Sequence, residues 1–198
     1  MRPAHDQGTI RPAGPAEPPR RVVFFGDSRA DWWQVPVLPG FQCIAVGVPG
    51  ASAAYLARRF PAMAAPLRPD IVVVQLGVND LTGLMARASD RDQVLATTCA
   101  ATTVVIAGAQ ALDARVVLTT IFPLARGPLP DRVVQEAIAA ANQRLHTLAA
   151  PGVQVLDSAA VLAGADGYVR PVYAEDELHL SPAGYAAINA ALAPLIDV

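Results

Sequence analysis

The chain has 198 residues, enough for one domain with a full hydrophobic core; 53% are apolar and 16% charged, against roughly 25% charged in average proteins. A formal net charge of -2, with no cluster of Lys and Arg, argues against an extended nucleic-acid surface. The most apolar stretch, residues 100–112, is too short to span a bilayer, and residues 1–20 lack the apolar run of a secretory signal, so a cytoplasmic chain without membrane insertion is expected.

Residues 1–20 contain Pro3, Pro12, Pro15, Pro18 and Pro19, with Ile10 as their only large aliphatic. That composition predicts a flexible or polyproline-like tail ahead of a domain over residues 21–198. From Arg21 onward, short β-branched runs alternate with helical patterns. Val22-Val23-Phe24-Phe25 ends at Gly26, Cys43-Ile44-Ala45-Val46 at Gly47, and Ile71-Val72-Val73-Val74 close to Gly77. Val116-Val117-Leu118 ends near Thr120, and Val153-Gln154-Val155-Leu156 comes last. Such runs predict strands buried on both faces of a parallel sheet.

Between them, residues 90–112 place Val94, Leu95, Thr98, Ala101, Thr102, Val105, Ala109 and Leu112 on one helical face. Residues 131–149 do the same with Val134, Ala137, Ile138, Ala141, Leu145 and Leu148. Ser181-Pro182, a cap followed by a first-turn proline, opens a last helix. The alternation predicts an α/β fold, a three-layer α/β/α sandwich on about five parallel strands. In such sheets a site lies beyond the carboxyl ends of the strands. Asp27 and Ser28 follow the first strand, Gly50 the second, and Asn79 and Asp80 the third.

Gly26-Asp27-Ser28 puts a serine between a strand and the start of a helix, where its hydroxyl meets the positive end of the helix dipole and its N–H is free to donate. The plain alternative is Ser28 as a helix cap. A serine hydroxyl attacks only when a base takes its proton, and that base needs a carboxylate to fix its tautomer. Of the three histidines, His5 sits in the tail, and His146 falls beside Gln135 and Asn142 on the polar side of its helix. His179 remains, in a carboxylate-rich segment before the last helix. Three-residue spacing in a turn favours Asp176 as its partner, with Glu175 and Glu177 as nearby alternatives. For an oxyanion, the donors on offer are the Ser28 N–H, the N–H of Gly50 and the side-chain amide of Asn79. Turn chemistry would account for Gly47 and Gly50 equally well, and a turn cap for Asn79.

Other chemistries find little support. Cys43, in an apolar run, and Cys99, at the edge of a helical face, read as buried free thiols and not as a disulfide framework. One usable histidine and no paired ligand spacing argue against a metal site. No serine sits in G-x-S-x-G, and neither a Walker A loop nor a helix-opening G-x-G-x-x-G is present.

Gly26-Asp27-Ser28, Gly47-Val48-Pro49-Gly50, Gly77-Val78-Asn79-Asp80 and Asp176-x-x-His179, in that order over residues 21–198, resemble the four blocks of the GDSL-type or SGNH hydrolases. The resemblance implies a flavodoxin-like sandwich, with Ser28 as nucleophile and Asp176 and His179 as acid and base. It implies an oxyanion hole of the Ser28 and Gly50 N–H groups and Asn79, and no cofactor. Two positions depart from the family pattern: the Leu that usually follows the serine is Arg29, and the Asn often found in the second block is Ala45.

The activity implied is that of a serine esterase working through an acyl-enzyme on a small-molecule ester, with short-chain acyl or acetyl groups expected. The alternatives are a long-chain thioesterase or lysophospholipase, and a catalytically inactive family member that binds carbohydrate or a partner. Residues 81–89, 122–130 and 167–175 are expected to line the cleft. Arg29, Leu84, Met85, Phe122 and Tyr173 are its candidate substrate contacts, although Arg29 fits equally well on a helix surface facing water.

Overall fold

A computed structural model describes residues 18–86, 88–127 and 132–197. The expected Pro-rich tail lies almost wholly outside these residues, as does part of the 122–130 loop. Val22–Phe25 lies within β1 (Arg20–Gly26), so the first strand starts one residue before the expected domain boundary. The remaining strands are β2 (Phe41–Gly47), β3 (Ile71–Gln75), β4 (Arg115–Thr119) and β5 (Val153–Leu156), all pairing in parallel in the order β2-β1-β3-β4-β5. The order reverses direction at β1, which creates a crevice at the carboxyl ends of β1 and β3.

Alternation along β1 builds both layers. Val23 and Phe25 face a core with Leu56, Phe60, Leu95, Val105, Val134 and Ile138. Val22 and Phe24 face the opposite core, with Trp33, Phe122, Tyr185, Ile188 and Leu192. The first core is covered by α2 (Ala53–Met63), α4 (Arg91–Gln110) and α5 (Arg132–His146), and the second by α6 (Ser158–Leu162) and α7 (Pro182–Ile196). Two single-turn helices complete the order used below: α1 (Ser28–Asp31) and α3 (Val78–Thr82). The sandwich is the expected three-layer α/β/α fold.

Three expectations need correction. Strands β2 and β5 are the sheet edges, so Cys43, Ile44 and Val46 are only partly buried and Ala45 is exposed. Cys43 and Cys99 are free but half-buried, and that burial pushes both thiols up from their ordinary pKa. Asn142 does not belong to a solvated face. Its buried amide accepts from the Ile121 N–H at 2.8 Å and donates to the Ile121 carbonyl at 2.9 Å, anchoring the chain as it leaves β4. Helix α4 is long and apolar enough to cross a membrane, yet its Leu95, Ala101, Val105 and Ala109 are buried in the sandwich.

Candidate active site

Strand β1 ends at Gly26, packed closely against β3. A Cβ on Gly26 would lie 1.6 Å from the Gln75 carbonyl oxygen, so only glycine fits. The chain then turns through Asp27, whose Oδ1 accepts from the Arg29 N–H at 3.0 Å and caps α1. This cap uses the second N–H of the turn and leaves that of Ser28 out of the bond. Asp27 is wholly buried, and that burial raises its pKa from 3.8 to about 6 against the opposing pull of Arg29.

Ser28 Oγ lies 3.0 Å from His179 Nε2, and His179 Nδ1 lies 2.8 Å from Asp176 Oδ2. The two ends of this relay come from α1 and from the segment that leads into α7. A bond from the Glu175 N–H to the His179 carbonyl at 3.0 Å closes that segment into a tight turn, and an antiparallel bridge joins Ala174 to Leu180. Inside the turn Asp176 Oδ1 accepts from the N–H groups of Leu178 and His179, both at 2.7 Å. Partial burial pulls the Asp176 carboxyl upward, but the His179 ring and these two N–H donors outweigh it and hold the group below its ordinary pKa. Of the three neighbouring carboxylates, then, Asp176 is the one that meets the ring. Glu175 is exposed and Glu177 packs against Gly127.

The second and third strand ends arrive at the same level, since Gly26 pairs with both Gly47 and Gln75. Two bonds then tie the loop after β2 to α3. Asn79 Nδ2 donates to the Ala51 carbonyl at 3.0 Å, and the Ala53 N–H donates to Asp80 Oδ2 at 2.8 Å. Gly50, at the outside of that loop, has φ +73°, a left-handed conformation that glycine adopts without strain. The Asn79 amide keeps one hydrogen beyond the one given to Ala51. A polarised hydroxyl, a base with its carboxylate and amide donors on one rim form an arrangement that can attack a carbonyl and hold the oxyanion that results.

The structure rearranges the expected substrate contacts. Arg29 faces neither water nor the cleft: its side chain is 0% exposed. Leu84 and Phe122 are likewise core residues and cannot reach a ligand in this structure. Tyr173 packs its ring beneath the Arg170 guanidinium, 4.4 Å away. Met85 is half exposed. It borders a cavity of about 240 Å³ with Thr82, Leu124, Val134 and Leu178, which neither Ser28, Asn79 nor His179 lines. A larger cavity, about 450 Å³, borders Asp176, Arg126 and Arg170 but not Ser28. One residue at the site went unanticipated. Trp32 is half exposed and stacks on the His179 ring, with centroids 4.0 Å apart. Its only sequence signal is its place directly after α1. Among the described residues no group of three or more His, Cys, Asp or Glu side chains could hold a metal.

The chain resembles known proteins in sequence and in fold. Residues 21–187 match the GDSL-like lipase/acylhydrolase family. Among solved structures, the chain is similar to a GDSL-like lipase from Bacteroides thetaiotaomicron, at 25% identity and TM-score 0.74, covering 93% of this chain and 91% of that one. It shares its fold with an acetylxylan esterase from Geobacillus stearothermophilus, at 17% identity and TM-score 0.72, covering 90% of this chain and 94% of that one. No curated protein sequence matches it.

Proposed function

The chain belongs to the GDSL-like lipase/acylhydrolase family, and from that premise we propose that it is a serine esterase that hydrolyses short-chain carboxylic esters through an acyl-enzyme. The observation that carries the proposal is the continuous relay of Ser28 Oγ, His179 and Asp176 at 3.0 and 2.8 Å. Ser28 Oγ attacks the ester carbonyl while His179 Nε2 takes its proton. Asp176 holds Nδ1–H, fixes the tautomer and stabilises the imidazolium that forms. The carbonyl oxygen becomes an oxyanion held by the Ser28 and Gly50 N–H groups and the Asn79 amide. Collapse of the intermediate breaks the C–O bond, and His179 returns the proton to the departing alkoxide. Water then enters, gives a proton to His179 and repeats the sequence, which frees the acid and restores Ser28.

The short acyl range is supported by how little chain is left to build a tunnel beside Ser28. The chain between Ser28 and Gly50 is taken up by α1, the link at residues 32–40 and β2, which leads away to the sheet edge. The family resemblance to a lipase and the fold shared with an acetylxylan esterase are both compatible with ester chemistry. The test is kcat/KM on p-nitrophenyl and coenzyme A esters from acetyl to dodecanoyl. Each buried methylene contributes roughly 0.8 kcal/mol, so an accommodating tunnel would raise kcat/KM steadily with length. The proposal expects the best values from acetyl to butyryl and a decline beyond about six carbons. A steady rise to dodecanoyl would refute it in favour of a long-chain thioesterase.

A further inference from the structure

Arg29 occupies a place that the proposed chemistry leaves unused. It follows the nucleophile on α1, yet its side chain runs the other way, into the core, where none of it is exposed. Its Nε donates to the Leu178 carbonyl at 2.7 Å and its Nη1 to the Phe122 carbonyl at 2.8 Å, with the guanidinium 5.4 Å from the Phe122 ring. Its own carbonyl accepts from the Tyr185 hydroxyl at 2.9 Å. The Leu178 carbonyl belongs to the peptide unit that ends at the His179 nitrogen, and that nitrogen is bonded to Asp176. A single guanidinium therefore joins the turn that carries Ser28 to the peptide that carries the base, across 149 residues of sequence.

Burying a guanidinium is a poor route to stability. Desolvating a guanidinium costs free energy that two neutral carbonyl acceptors offset only in part. Here one nitrogen, Nη2, also lacks a partner, and the family's usual residue at this position is Leu. A rigid planar fork is suited to fixing two carbonyls at a set distance. The turn at residues 175–179 has its own internal bonds, none of which uses the Arg29 side chain.

We propose that Arg29 is a positioning residue that sets His179 against Ser28 by clamping the Leu178 and Phe122 carbonyls to the nucleophile's helical turn. The inference rests on the reading of Ser28 as nucleophile and His179 as base. Loss of the clamp leaves the Asp176–His179 pair intact and loosens its docking on Ser28. A displacement of about 1 Å between reacting groups costs roughly 10²-fold in rate.

The test compares Arg29→Met, Arg29→Leu and Arg29→Lys with the wild type by thermal melting and by kcat and KM on p-nitrophenyl acetate. Arg29→Met is also built into His179→Gln. The expected result is folded Met and Leu variants with kcat about 10²-fold lower and KM within about threefold. Lys, whose ammonium can reach one carbonyl, recovers kcat to within about tenfold of wild type. In the His179→Gln background the Met substitution has no further effect, because it acts through the base. A wild-type kcat in the Met or Leu variant would overturn the proposal, as would an equal loss in the His179→Gln background. If only the Lys variant folds, its kcat decides, and an unchanged value overturns the proposal. Failure of all three to fold overturns it too, making Arg29 a folding residue. Failure of the esterase reading shows separately, as wild-type turnover that survives Ser28→Ala.

Discussion

Asn79→Ala separates two duties of one amide. In the structure Nδ2 donates to the Ala51 carbonyl at 3.0 Å, which fixes the loop that carries Gly50, and its second hydrogen is assigned to the oxyanion. Loss of an oxyanion donor raises the barrier by about 2.7–4 kcal/mol, or 10²–10³-fold in kcat, with KM little changed because the donor acts on charge that develops after binding. Loss of the Ala51 bond costs about 1 kcal/mol of stability. For a domain of this size that lowers Tm by about 2–4 °C. Steady-state hydrolysis of p-nitrophenyl acetate and calorimetric melting of the same sample read the two effects independently. A melting shift of this size with kcat within tenfold of wild type would leave Asn79 as a loop tie alone and refute its oxyanion role. A rise in KM with kcat unchanged would instead mark it as a ground-state binding residue.

Asp27 gives a pH-dependent stability prediction. Its folded pKa of about 6 lies above the ordinary 3.8, so between those values the folded chain holds a proton that the unfolded chain has released. Stability from this group therefore falls as pH rises through that window, by about 3 kcal/mol in full. Asp27→Asn, which retains an oxygen to cap α1, should gain in Tm relative to wild type as pH is raised from 4 to 7; a difference independent of pH would contradict the burial argument. His179→Gln should remove nearly all turnover, since a glutamine cannot accept the Ser28 proton. A variant with wild-type kcat would exclude His179 as base.

The strands were legible because β-branched runs and the glycines that end them are local features of the chain. The long helices were legible for the same kind of reason, from apolar spacing. Burial at the sheet edges was not, because which strand lies outermost depends on pairing order and not on any one run. The relay of Ser28, Asp176 and His179 could be read from residue type and order. Arg29 could not, because its burial depends on the Phe122 and Leu178 carbonyls, 93 and 149 residues away in sequence. A charged residue on a helix is ordinarily exposed. Asn142 is hidden in the same way, since its helical position looks solvated until the Ile121 peptide is placed beside it. Leu84 and Phe122 lie in segments expected to line a cleft, but their apolar side chains are drawn into the core.

The assignment of Ser28 as the nucleophile of an ester hydrolase is checked most directly by intact-mass and peptide mass spectrometry after treatment with a fluorophosphonate. One phosphonyl adduct per chain is expected, mapped to Ser28, with loss of p-nitrophenyl acetate turnover in step with labelling. Neither adduct nor turnover is expected in a folded Ser28→Ala variant. An adduct on another residue, or turnover that persists in the alanine variant, would contradict the assignment.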